Sequence, residues 1–413
     1  MGSWLRAVGE AVMPARLGIG FRWLLGSSWV SNIGDGIALA AGPLLVASQT
    51  HNAFLVALAG MASRAPWLLL GLWAGALADR LDRRRIVMIA DLVRCLVIGL
   101  LCLVIATGRV NITVVLVTLF VLGIAEVFAD SATSTLLPML VDKADLGIGN
   151  ARLQAGFLTA NQLAGPPIGA FLFAVGMAWP FLTQAVLVAF SVLLISRVAL
   201  RGPIRDPAVT SHLRHDIADG IRWLLRHPPI RTLALVIFAF NITWGAAWSV
   251  LVLYSQDHLH MGEVGFGLLT TASAVGGLLG TGGYDWLERH VSLATIMRVC
   301  LSLEVLTHLA LALTTTGVLA LIEMVIFGAY AFVWGTVSNA VRQRSVPQEY
   351  QGRVGSVYVV GLFLGIVIGQ ALGGVIAENW GLTAPFWFAF AGSALTLGLV
   401  WRQLAHIAHA GDR

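Results

Sequence analysis

The stretch "GALADRLDRRR", Gly75–Arg85, stands where a long apolar run of the chain ends. Two acids and four arginines occur within the seven residues from Asp79 to Arg85, although only 11% of the whole chain is charged. An ordinary soluble domain carries roughly 25% charged residues. The stretch is therefore a short polar connection between two segments that avoid water.

The composition of the rest of the chain points to a membrane protein. Hydrophobic residues make up 58% of the 413 residues, and the mean hydropathy is +0.83. Apolar runs of about 18 residues or more recur, each long enough to cross a hydrocarbon layer of about 30 Å as a helix. They lack the alternation of membrane β-strands. The sequence predicts an all-α membrane protein with twelve transmembrane helices, at 22–48, 53–78, 86–107, 111–137, 152–175, 178–198, 231–255, 263–287, 292–314, 317–341, 354–377 and 382–402.

The distribution of arginine predicts the orientation. Twelve spans place both termini on one side, and the connections on that side hold nearly all the loop arginines, with little beyond Arg109 on the other. Cytoplasmic loops carry such an excess, so both termini are expected in the cytoplasm. Because the arginines are spread over separate loops, we expect no nucleic-acid partner. The preference for arginine over lysine suggests a GC-rich bacterial genome, and hence the bacterial inner membrane.

The two halves of the chain resemble each other. A shift of 209 residues pairs Asn32 with Asn241 and Gly36 with Gly245, and from Cys95 onward a shift of 205 pairs similar residues in the same order. Repeats of this kind place substrate sites near the bilayer midplane. We predict two pseudo-symmetric six-helix bundles, at 1–198 and 231–413. The linker 199–230 is predicted to hold an amphipathic helix on the membrane surface.

"GALADRLDRRR" resembles the signature between helices 2 and 3 of the major facilitator superfamily, Gly-x-Leu-Ala-Asp-Arg-x-Gly-Arg-Arg. Asp82 replaces the second glycine, as in the branch with enterobactin exporters and macrolide-efflux proteins. The resemblance covers essentially the whole chain. It implies a conformational latch in which the acid meets the positive end of a second-half helix, while Gly75 allows close backbone approach. The latch residues would be Gly75, Asp79, Arg80, Arg83 and Arg84. The alternative is a turn that only orients the chain.

A second stretch, "GFLTANQLAGPPIGA", resembles the helix motif of exporters that exchange substrate for protons. The matching residues are Gly156, Gly165, Pro166 and Gly169, whereas Pro167 and Ala170 depart from the pattern. Glycine and proline in one membrane helix predict a bend and a thin face that a neighbouring helix can approach. Small-residue packing without any role in antiport is the alternative. The family's arginine signature in the fourth span is missing.

Ionisable side chains at membrane depth are costly and mark functional sites. The resemblance implies that helices 1, 4, 7 and 10 line a cavity, which selects candidates for binding protons or substrate: Asp35, Glu126, Asp130, Asn241 and Glu323. Arg64, about midway along the second span, is a further candidate. Asp35 and Arg64, at similar depth, could also form a structural pair. Glu126 and Asp130 lie four residues apart and share a helix face. Glu304 and His308 are expected to be structural, and Asp91 is expected to pair with Arg94 or with the arginine turn.

The predicted function is secondary active transport. The sequence has no phosphate-binding Gly-x4-Gly-Lys loop and no hydrolase motif, so we expect no enzyme, no metal, no cofactor and a proton gradient as the energy source. Aromatic residues in the core helices suit a hydrophobic or amphipathic substrate such as a drug, macrolide or siderophore. The expected protein is a monomeric exporter that works by alternating access. A lipid or lysolipid flippase of the same fold and a membrane receptor or scaffold stay as alternatives.

Overall fold

The computed structural model describes residues 15–199 and 213–408, apart from the side chains of a few residues that include Asp79, Arg80 and Lys143. In these ranges the chain is almost entirely helical and has no strand. All twelve predicted spans are present as helices, with ends that differ from the prediction by a few residues. The differences lie mostly in polar turns of helix that extend beyond the apolar segment.

The first six helices are numbered in chain order: α1 Gly18–Gln49, α2 Ala53–Arg80, α3 Arg83–Ala106, α4 Ile112–Leu140, α5, and α6 Trp179–Ile195. Helix α5 has three parts: Leu146–Gly156, the π-helical segment Phe157–Ala164, and Gly165–Val175. The wide turn ends where the Gly165 amide donates to the carbonyl of Ala160, just before two prolines that have no N–H to donate. The expected bend is therefore a π-helical segment, a feature often found at functional sites.

The second half begins with a short surface helix, α7 Leu213–Arg226, in the predicted linker. Six further apolar helices and a short terminal helix follow: α8 Pro228–Trp248, α9 Gly262–His290, α10 Leu293–Leu313, α11 Gly317–Ser345, α12 Gln351–Trp380, α13 Ala384–Val400 and α14 Gln403–Ala408. A short helix Leu251–Leu253 and a π-helical segment Tyr254–His258 follow α8.

Nine helices in the described ranges are long and apolar enough to cross a membrane by themselves. Helices α6 and α13 are apolar but have 17 residues each, and α5 is divided by its π-helical segment. Together they make the twelve crossings of an all-α membrane protein.

The described residues form two compact units. Unit 1 consists of 15–45 and 69–199, and unit 2 consists of 46–68 and 213–408. Helix α2 is thus shared, because its first part packs within unit 2. The division predicted from the sequence, at 198 and 231, stays a prediction about domains.

Glycines bring two helices together in each unit. In unit 1, a Cβ on Gly36 of α1 would lie 2.5 Å from the carbonyl oxygen of Asn161 in α5, and one on Gly165 would meet the backbone of Gly36. In unit 2, a Cβ on Gly245 of α8 would lie 2.7 Å from the carbonyl oxygen of Ile366 in α12. Any side chain at these positions would force the backbones apart, so glycine fixes the close approach.

Helix α7 packs against the beginning of α12. Trp223 and Leu224 are buried, and a Cβ on Gly220 would meet the carbonyl of Arg353. Of the apolar residues whose helical spacing predicts this amphipathic helix, Leu224 is buried, whereas Ile221 and Leu225 are 42% and 57% exposed. Gly220, Trp223 and Leu224 form its buried side.

Candidate transport site

A charged cluster lies in the membrane helices of unit 1. Arg94 of α3 forms ion pairs with Asp35 of α1 and with Asp91, one turn away, at 3.0 Å between Nη1 and Oδ1. The side chains of Arg94 and Asp91 are only 6% and 3% exposed, whereas that of Asp35 is 24% exposed. Asp35 therefore connects a buried ion pair to accessible space.

Hydroxyl groups complete the surroundings of this cluster. Ser31 donates to Asp35 Oδ2 at 3.3 Å and accepts from Arg94 Nη1 at 3.4 Å. The hydroxyls of Ser27 and Ser191 lie 2.8 Å apart and join α1 to α6. A cavity of about 70 Å³ is lined by these serines, Asp35, Arg94 and Asp130. It has room for two waters at the roughly 30 Å³ that each occupies in the liquid.

The two acids of α4 belong to the same cluster. Glu126 and Asp130 both interact electrostatically with Arg94, as Asp35 and Asp91 do. Asp130 is exposed and Glu126 is half-buried. Four carboxylates thus interact with one guanidinium, and the exposure of the three aspartates decreases from Asp130 through Asp35 to Asp91. The cluster therefore extends from accessible space to the buried pair.

The alternative in which Asp35 pairs with Arg64 does not occur in this structure. Asp35 pairs with Arg94, and the predicted local pair of Arg94 with Asp91 is confirmed. Arg64 belongs to the part of α2 that packs in unit 2, and no described residue forms an ion pair or hydrogen bond with it. One turn further along α2, Trp67 stacks on Phe363 of α12, with ring centroids 5.3 Å apart. Counting residues along a span gives depth but not the direction in which a side chain points.

A second cavity, of about 260 Å³, lies in unit 2 and is lined mainly by aromatic and aliphatic side chains. Its lining includes Trp244 of α8, Phe327, Tyr330 and Trp334 of α11, and the predicted candidate Asn241. The Asn241 amide donates to the carbonyl of Ile237 at 2.7 Å, so that this side chain is held along its own helix. Glu323, also of α11, is half-buried and is not among the residues that line this cavity.

Glu304 of α10 supplies the carboxylate of this aromatic cavity. Its Oε2 accepts from the Tyr330 hydroxyl at 2.8 Å, and its Oε1 lies 3.1 Å from Nε2 of His308. His308 is fully buried, while Glu304 borders the cavity. Glu304 and His308 do pair, as the spacing predicted, but the pair also meets accessible space.

The arginine turn contacts the ends of neighbouring helices in unit 1. Arg84 Nη1 donates to the carbonyl of Val198 at 2.9 Å, and Arg83 Nη1 lies 2.7 Å from Sδ of Met139. Asp82, which replaces the glycine of the signature, accepts from the Arg85 amide at 3.3 Å and caps α3. A Cβ on Gly75 would meet no described atom within 4 Å, so the close approach expected there is absent from this structure. The side chains of Asp79 and Arg80 lie outside the described residues.

The motif of α5 packs against α1. A Cβ on Gly169 would meet the backbone of Ile37, and one on Gly156 would meet the indole of Trp29. Gly165 and Gly169 thus let α1, which carries Asp35, lie directly against the last part of α5, just after its π-helical segment. This geometry agrees with the predicted thin face, and the part of the motif in antiport stays a prediction.

Sequence reasoning missed Glu378 of α12. Its carboxylate accepts from Asn52 Nδ2 at 2.8 Å and from the amide of Ala53 at 2.9 Å, and so holds the first turn of α2 within unit 2. Asn52 itself caps the helix by accepting from the Leu55 amide at 2.9 Å. The sequence offers two signals: Glu378 lies near the end of one apolar span, and Asn52 lies just before another. Neither signal shows that these two residues contact each other.

Comparison with known proteins agrees with the geometry. The sequence model of the Major Facilitator Superfamily matches residues 24–369. The chain is 29% identical over 392 residues to the multidrug efflux pump Tap of Mycolicibacterium fortuitum, covering 91% of this chain and 93% of the relative. It is 23% identical to macrolide efflux protein A of Streptococcus pyogenes, covering 89% and 91% of the two chains, and 25% identical to the enterobactin exporter EntS of Shigella boydii, covering 85% and 84%.

A solved structure shares the fold. A bacterial homologue of the iron transporter ferroportin superposes with a TM-score of 0.76 at 18% identity, and the match covers 94% of this chain and 98% of that one. The predicted fold and the predicted resemblance to the enterobactin-exporter and macrolide-efflux branch are both confirmed. This multi-pass membrane protein is a transporter and not an enzyme, and it belongs to the Major Facilitator Superfamily, in the branch of these efflux proteins.

Proposed function

We propose that the chain exports hydrophobic or amphipathic small molecules, such as drugs, macrolides or siderophores, in exchange for protons. It would act as a monomer in the bacterial inner membrane, with both termini in the cytoplasm, by alternating access. The observation that carries the proposal is the charged cluster of unit 1, in which four carboxylates interact with Arg94. Efflux by Tap, macrolide efflux protein A and EntS supports the direction of transport.

The charge balance of the cluster supports proton carriage. Four ionised carboxylates and one guanidinium would have a net charge of −3, from four charges of −1 and one of +1. An excess of like charge at membrane depth is costly, and binding a proton reduces it. Asp130 is exposed and would receive the proton. A proton that then reaches Asp35 would remove the negative charge that Asp35 presents to Arg94.

Coupling to a conformational change would follow from the ion pair between helices. Asp35 lies on α1 and Arg94 on α3, so a proton on Asp35 would weaken an interaction that joins two helices. Close packing of α1 on the π-helical part of α5 would carry a movement of α1 into that helix. Substrate would bind on the aromatic surface of unit 2.

The experiment is transport by purified protein in vesicles with an imposed proton gradient. Four substrate classes are compared: a lipophilic cation, a macrolide, a siderophore and a fluorescent lysolipid. Export of one of the first three, together with proton movement in the opposite direction, is the expected result. Movement of the lysolipid alone would favour a flippase, and absence of gradient-driven transport for all four would favour a receptor or scaffold.

A further inference from the structure

Glu304 supplies the only carboxylate among the described residues that line this cavity. The Tyr330 hydroxyl donates to one carboxylate oxygen at 2.8 Å, and Nε2 of the buried His308 lies 3.1 Å from the other. Among the described residues that line this cavity, none is lysine or arginine. A single negative charge in an apolar site is costly unless a cation accompanies it.

The walls of the same cavity suit an organic cation. Trp244, Phe327, Tyr330 and Trp334 line it, and aromatic faces attract cations through their quadrupole. Trp248 extends this surface, because it stacks on Trp244 at 5.3 Å and contacts Phe327 at 4.5 Å between ring centroids. A metal ion or a hydrated ammonium would gain little from such walls, because both prefer oxygen ligands or water.

The volume of the cavity limits what enters it. About 260 Å³ is slightly less than the roughly 300–1,000 Å³ of sites for whole drug-sized molecules. The cavity therefore accommodates the charged aromatic end of a larger molecule. The carboxylate has capacity for further contacts, since an ionised carboxylate offers about four acceptor positions and two are occupied here.

We propose that the aromatic cavity of unit 2 is a subsite for the cationic end of an aromatic organic substrate, with Glu304 as its counter-ion. This rests on the proposed export function and names its substrate class. Tyr330 and His308 position the carboxylate, and the tryptophans hold the aromatic rings. The unit 1 cluster is left to carry protons, so substrate and proton have separate sites.

The test measures binding to purified protein in lipid nanodiscs, with no gradient. The probes are ethidium, which has a permanent positive charge, and phenanthridine, its neutral parent ring. Glu304→Gln is expected to weaken ethidium binding by about tenfold or more, because a desolvated charge contact is lost, and to leave phenanthridine binding nearly unchanged. The matched control is Glu349→Gln, which changes an exposed glutamate of unit 2.

Other outcomes overturn the proposal. Equal ethidium affinity in the parent protein and Glu304→Gln would do so, as would equal losses for both probes or no ethidium binding by the parent. If Glu304→Gln does not fold, Ala331→Trp provides the second variant, because it fills the cavity and leaves Glu304 in place. It should abolish binding of both probes, and retained ethidium binding would count against the site. The binding measurement needs no proton gradient. If vesicle transport fails, the export function is therefore rejected, while the binding measurement still decides whether the cavity is a cation subsite.

Discussion

The cavities of unit 1 and unit 2 lie at equivalent positions of the repeat but differ in chemistry. The shifts of 209 and 205 residues relate lining positions of the two cavities: Asn32 to Asn241, Asp35 to Trp244 and Ala129 to Trp334. The first cavity has about 70 Å³ and is lined by ions and hydroxyls, and the second has about 260 Å³ and is lined by aromatic rings. The asparagine is the same in both halves, while the aspartate has a tryptophan as its counterpart.

Under the proposed function, this difference assigns protons to one half and substrate to the other. A cluster of acids around an arginine can bind and release protons, but it provides few apolar contacts for a hydrophobic molecule. An aromatic cavity provides such contacts and contains few charged side chains. Each half could therefore change its own cavity without disturbing the other, provided that the helix packing around it was kept.

The packing was kept. Gly36 contacts Asn161 in unit 1, and Gly245 contacts Ile366 in unit 2, and both pairs of positions correspond under the same two shifts. The scaffold thus depends on backbone approach, which only glycine permits, while the cavity depends on side chains that can vary. The predictions below test this separation of scaffold and cavity.

Asp35→Asn is expected to have the largest effect and to reduce gradient-driven export to the level of protein-free vesicles. The amide cannot take part in proton exchange, and it removes the carboxylate that joins α1 to Arg94. Folding should be retained, because Arg94 keeps Asp91 at 3.0 Å and one charged hydrogen bond is worth about 1.5–3 kcal/mol. The measurement is export and proton movement in vesicles.

The controls for this variant use both halves. Asp142→Asn, an exposed residue of unit 1, should export normally. Trp244→Leu, at the position of unit 2 that corresponds to Asp35, should weaken substrate binding but keep proton movement coupled to whatever substrate is carried. Unchanged export by Asp35→Asn, or uncoupling by Trp244→Leu, would contradict the assignment of protons to unit 1.

The sequence predicted the spans and the small-residue contacts well, for a physical reason. Apolar length is read directly along the chain, and glycines such as Gly165 and Gly169 recur at helical spacing. It failed for the partner of Asp35, because an ion pair depends on how helices are rotated, and Arg64 and Arg94 lie in different spans at depths that residue counting cannot separate. It also missed Glu378, whose contact with Asn52 joins positions 326 residues apart.

Gly36→Ala and Gly245→Ala are expected to destabilise the protein by similar amounts, about 1–3 kcal/mol each, because a methyl group there would meet backbone carbonyls that cannot move away. Gly99→Ala is the matched control, since a Cβ there meets nothing within 4 Å and alanine favours a helix by roughly 0.5–1 kcal/mol. The measurement is thermal unfolding in detergent. Equal stability of all three variants would show that the scaffold does not depend on these contacts.

The smallest effect is expected at the two ends of α2, the helix that both units share. The latch implied by the resemblance makes Asp79, at the last turn of α2, favour the outward-open form, whereas Glu378 holds the first turn of α2 within unit 2 through Asn52 and the amide of Ala53. Asp79→Asn should therefore increase inward-open populations, and Glu378→Gln should leave them unchanged. A contact at a helix end is worth about 0.3–1 kcal/mol, and up to roughly 2 when partly buried, so the population ratio of Asp79→Asn should change by about twofold to thirtyfold. Spin-pair distances across the cytoplasmic ends of the helices measure both variants against the parent protein, with Asp142→Asn as the control. A shift for Glu378→Gln would contradict a contact confined to one unit, and unchanged distances for Asp79→Asn, with normal transport, would leave the arginine turn as an orientation signal.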